Sequence, residues 1–123
     1  MKAKLAALLV VAIAPVMAHH SFAAEFDGAK EVTISGKVLR VDWVNPHAAL
    51  HIAVTNSDGK VEEWNCEMPP PGRLAHAGWR ADMVKAGDQI SVSGFLARNG
   101  AHIMWTQSVV FPDGSRISVR PAR

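Results

Sequence analysis

From residue 32 onward the chain alternates apolar and polar positions with a period of two, the mark of strands that bury one face. In Val32–Trp43 the apolar set runs Val32, Ile34 and Val38, then changes phase to Leu39, Val41 and Trp43. A phase slip close to a glycine, here Gly36, predicts a bulged and bent strand. Asn45-Pro46 interrupts the pattern. It resumes from about His47 to Thr55, with Ala48, Leu50, Ile52 and Val54 on one face and His47, Ala49, His51 and Ala53 on the other. Asn56-Ser57-Asp58-Gly59-Lys60 predicts a hairpin, and Val61–Met68 the return strand, on which Trp64, Cys66 and Met68 share a face.

Pro69-Pro70-Pro71-Gly72 stops that strand, and Arg73–Trp79 predicts a short helical turn. Further strands are expected over Gln89–Ala97, His102–Phe111 and Arg116–Val119, separated by Arg98-Asn99-Gly100 and Pro112-Asp113-Gly114-Ser115. This order predicts an all-β fold: a small OB-like barrel of five to six strands with one short helix between strands 3 and 4. An immunoglobulin-like sandwich is the alternative, disfavoured by the short chain and the helical insert.

Residues 1–18 follow another rule. A basic start, Met1-Lys2-Ala3-Lys4, precedes the apolar run Leu5–Val16 and the small-x-small site Val16-Met17-Ala18. That is the layout of a secretory signal peptide, so the expected location is periplasmic or secreted. The run is shorter than the ~18 apolar residues of a spanning helix, so no transmembrane anchor is expected. The expected organisation is a signal peptide over 1–18, an N-terminal segment over 19–31 and the barrel over 32–123. Of 13 basic and 11 acidic residues, the signal removes Lys2 and Lys4, leaving 11 of each. A chain without net positive charge has no general attraction to phosphate, so nucleic acid is not an expected partner. Cys66 is the one cysteine and cannot form an internal disulfide. It is a buried thiol, a bridge to another chain or a soft metal ligand, and its neighbours Trp64 and Met68 favour burial.

Cleavage after Ala18 would expose His19-His20-Ser21-Phe22. His19 then carries a free amine and an imidazole, which chelate one ion together. A further imidazole completes a histidine brace suited to copper, the top of the divalent affinity order. His47, beside the Asn45-Pro46 break, is the best candidate for that third nitrogen, with His20 or Glu25 in support. A solvated terminus and a structural hydrogen bond are the plain alternatives for His19 and His47. A cut after Ala23 would remove both terminal histidines. His47 and His51 are four residues apart on a strand, ~13 Å, too far to share an ion that needs both nitrogens at ~2 Å, so His51 is expected at the surface. Met68, Met83 and Met104 lack clustered spacing and are expected in the core, as are Trp64 and Trp105. Trp43, with Asn45 beside it, and Trp79 are expected to line a ligand groove. No phosphate loop, nucleophile elbow or His-Glu-x-x-His is present, and no catalytic residues are assigned.

The start His19-His20-Ser21-Phe22-Ala23-Ala24-Glu25-Phe26-Asp27, the turn Trp43-Val44-Asn45-Pro46-His47, and Asp58-Gly59-Lys60, Trp64, Glu67, Gly78-Trp79 and Gly87-Asp88 closely resemble bacterial exported proteins grouped as domain-of-unknown-function family 6152. The resemblance implies a small periplasmic β-barrel and no established activity. Cys66, the proline run and His51 depart from its pattern. The reading is a non-enzymatic exported binding protein that holds copper through His19, His47 and either His20 or Glu25. Its rivals are a metal-free module for a peptide, glycan or small apolar ligand, or for a protein partner, and a copper-dependent oxygenase.

Overall fold

The computed structural model describes residues 22–120. A four-residue helix, α1 (Phe22–Glu25), leads into β1 (Phe26–Asp42), followed by β2 (Ala49–Thr55) and β3 (Val61–Glu67). The helix α2 (Pro71–His76) comes next, then β4 (Gln89–Ala97), β5 (Ile103–Val110) and β6 (Arg116–Ser118). The sheet runs β3-β2-β1-β4-β5-β6, and a parallel pairing of β3 with β5 joins its ends. The result is a closed five-stranded barrel with β6 added beside β5 and a helix between β3 and β4, the OB arrangement.

Closure depends on β1, which pairs with β4 along its first part and with β2 along its last. Val38 faces Ile52 but Arg40 faces His51, so Leu39 is the extra residue of a bulge. The phase slip in the sequence is this bulge: Val38 is buried while Leu39 is 42% exposed. Gly36 lies at the crowded bend, where a Cβ would run into the carbonyl of Ala53. β1 starts at Phe26, opposite Ala97, rather than at Val32. Pairing with β4 recruits residues 26–31, whose pattern alone does not read as a strand.

The inward faces supply the core. Ala48, Leu50 and Ile52 from the β2 side, Cys66 and Met68 from the β3 side, Val92 from β4, and Met104 and Val109 from β5 have no exposed surface. α2 begins at Pro71 rather than Arg73, because proline's fixed φ and missing N–H suit the first helical turn. Gly78, at φ 96°, ends it in the left-handed region, and Trp79 N–H then donates to the Leu74 carbonyl at 2.9 Å. That turn lays Leu74, Trp79 and Val84 onto the barrel core.

Candidate functional site

The N-terminal chain, the β1–β2 loop, the end of β3 and the start of β5 meet at one mouth of the barrel. Phe22, Glu25, Phe26, His47, Glu67 and Trp105 line a cavity of about 190 Å³ there. Glu25, Phe26 and Glu67 also line an adjoining cavity that reaches Arg98 and Asn99 in the β4–β5 loop. The β1–β2 and β4–β5 loops are where OB barrels take their ligands.

Aromatic contacts fix the walls. Phe22 stacks on Phe26 at 5.5 Å between ring centroids and meets the edges of Phe95 and Trp105 at 5.7 and 6.4 Å. The His47 ring stands edge-on to Trp105 at 5.5 Å and 89°. α1 is strapped down from the β4–β5 loop: Arg98 donates from its backbone N–H to the Glu25 carbonyl at 2.8 Å and from Nε to the Ala23 carbonyl at 2.7 Å. Neither the His47 imidazole nor the half-buried Glu67 carboxylate has a hydrogen bond or ion pair among the described residues. The structural hydrogen bond considered for His47 is therefore not made. One imidazole and two carboxylates line a single opening with aromatic walls.

The cavity unites two of the expected metal ligands, Glu25 and His47, which are separate in sequence. His19 and His20 lie outside the described residues. Among the described residues no three His, Cys, Asp or Glu side chains gather closely enough to hold a metal ion.

The expected groove between Trp43 and Trp79 is not present. Trp79 is 3% exposed, its Nε1–H donates to the Ser118 carbonyl at 3.0 Å and its ring leans on Phe111. It was misplaced because Gly78 turns it under the barrel instead of leaving it on a helix face. Trp43 is half-buried against the core and Asn45 is exposed, with a cis peptide bond to Pro46. Trp105, expected in the core, is instead half-buried at the mouth. Its strand alternation was legible, but its position at the start of β5, where the barrel opens, was not.

His51 is also corrected, from a surface residue to one 8% exposed. Its Nε2–H donates to Asp42 Oδ2 at 2.7 Å, while Arg40 bridges Asp42 and Glu63 beside it. This network covers the ring. On the β2–β3 hairpin, hydrogen bonds from Asn56 and then Trp64 hold the Glu62 carboxyl below its usual range, and Trp64 stacks on His102 at 4.8 Å. Cys66 is fully buried and unbridged, and burial pushes its thiol up to about 12. Of the readings weighed for Cys66, the buried thiol is the one its position supports.

The sequence model of a family of unknown function, DUF6152, matches residues 7–107. The chain belongs to this family. The match spans the barrel from α1 through most of β5 and includes every described residue lining the mouth cavity. No characterised protein matches the chain. Membership in DUF6152 thus brings a shared sequence and no assigned activity. Among the described residues no helix is long and apolar enough to cross a membrane.

Proposed function

We propose that this DUF6152 member is an exported copper-binding protein whose ion sits at the barrel mouth, held by the amine and imidazole of His19 with His47, and by His20 or Glu25. The observation that supports this reading is the convergence of His47, Glu25 and Glu67 on one cavity bordered by Phe22, two positions after His20. The two carboxylates favour a cation. The Phe22, Phe26 and Trp105 rings border the opening and offer a cation a less polar wall than bulk water. Nitrogen donors from the terminus would supply what the described residues lack, and nitrogen-rich sets favour copper.

Native mass spectrometry of the exported protein after copper addition tests the reading. The expected species begins at His19 and carries one copper. Copper at about a hundred times its dissociation constant should add ~2.7 kcal/mol of stability. A chain beginning at Ala24, or a chain from His19 with no copper-dependent change in mass or stability, overturns it.

The aromatic walls favour a second reading, a metal-free recognition module that receives a peptide, glycan or small apolar ligand against Trp105 and Phe22 rather than between Trp43 and Trp79. Deleting His19 and His20 would leave such binding intact and would abolish copper binding.

A further inference from the structure

Trp105 also lines a second cavity, of about 500 Å³, with Pro69, Arg73, His76, Val119 and Arg120. No acid is among these residues. Its apolar part is the half-buried indole of Trp105 with buried Pro69 and Val119, and its rim carries two guanidinium groups and an imidazole, all exposed. Three elements far apart in sequence bring the lining together: α2 supplies Arg73 and His76, β5 the indole, and the chain after β6 Arg120.

The other described arginines show what is unusual here. Arg40 pairs with Glu63 and Asp42, Arg80 with Asp82, Arg98 with the Ala23 carbonyl, and Arg116 donates to the Ser108 hydroxyl. The side chains of Arg73, His76 and Arg120 have no hydrogen bond or ion pair among the described residues. Guanidinium donors grouped without an acid around an apolar floor complement a ligand with a carboxylate at one end and an apolar body at the other. A volume of this size takes a small organic molecule.

We propose that this cavity binds a small organic carboxylate, with its carboxylate between Arg73 and Arg120 and its apolar body against Trp105 and Val119. The site shares the Trp105 indole with the mouth cavity and otherwise has its own lining, and it does not depend on the copper reading.

The probe is 4-phenylbutyrate, titrated into the purified full chain and followed by the ¹⁵N resonances of the Trp105 indole and the Arg73 and Val119 amides. Its neutral amide, 4-phenylbutyramide, is the matched control. Saturable shifts at all three positions are expected, with the acid bound at least about ten-fold more tightly than the amide. Arg73→Gln and Arg120→Gln should each weaken the acid about ten-fold and leave the amide unchanged. Lys60→Gln, on the β2–β3 hairpin, removes the same charge and should leave the acid within about two-fold. Equal binding of acid and amide overturns the proposal, as does the absence of saturation or a shift pattern that omits Arg73 and Val119. Both arginines are exposed, so unchanged thermal unfolding of the variants will separate lost binding from lost fold.

Discussion

Trp105 belongs to two cavities whose linings carry opposite charge. The mouth cavity, about 190 Å³, sets Glu25 and Glu67 around His47; the larger one, about 500 Å³, sets Arg73 and Arg120 around a floor of Pro69 and Val119. The end of β3 shows how one chain serves both. Cys66 and Met68 point into the core, Glu67 between them faces the mouth, and Pro69 turns to the basic cavity. At this strand end the alternation that builds the barrel also sets Glu67 towards the mouth. Equal numbers of acids and bases after residue 18 hide the opposite linings, so net charge argues against a polyanion while saying nothing of a small ion.

The largest effects are expected where β4 and β5 support the wall that the two cavities share. Gly94 lies in β4 against β5, where a Cβ would run into the Trp105 carbonyl. Gly94→Ala should therefore cost about 3 kcal/mol or more in urea unfolding and weaken binding at both cavities. Stability within about 0.5 kcal/mol of the parent would show that the β4–β5 contact yields easily. Trp105→Ala removes the wall without touching the strand pairing. It should cost about 2–3 kcal/mol, less than a fully buried tryptophan, and reduce both copper and 4-phenylbutyrate binding. Loss of one ligand alone would show that the two cavities do not share the indole in solution.

A sharper test separates them. His47 is exposed and makes no hydrogen bond among the described residues, so His47→Ala should leave stability within about 0.5 kcal/mol. Copper affinity should fall at least about ten-fold while 4-phenylbutyrate binds as before, both measured by calorimetric titration. Unchanged copper affinity would remove His47 from the site.

The barrel was legible because its strands alternate cleanly and its turns carry their glycine and proline signals. The bulge at Leu39 could be read from the phase slip alone, and Cys66 from the face it shares with Met68. The start of β1 could not, since residues 26–31 become a strand through pairing with β4 rather than through their own pattern. The site was half legible. Glu25 and His47 were singled out for their chemistry, and the fold brings them together. Glu67 and Arg73 carry no local signal of the cavities they line, because each meets Trp105 only in the closed barrel, where β3 pairs with β5. Trp79 failed as a ligand residue for a related reason: a single left-handed glycine decides which side of the chain it takes.

The smallest effect is expected at Cys66, which lies one residue from Glu67 yet belongs to neither cavity. Cys66→Ala should leave copper affinity unchanged within about two-fold and cost about 1 kcal/mol through the small void it leaves. The thiol also has a defined pH signature. Burial raises it from an ordinary value of 9.0 to about 12, so the folded chain favours the protonated form relative to the unfolded one. That contribution to stability is complete below about pH 9 and is lost as pH rises towards 12. At pH 8 a disulfide reagent should therefore leave the native thiol unmodified and titrate it at once in denaturant. Rapid native labelling would place Cys66 within reach of the mouth and return a thiolate to the list of copper donors.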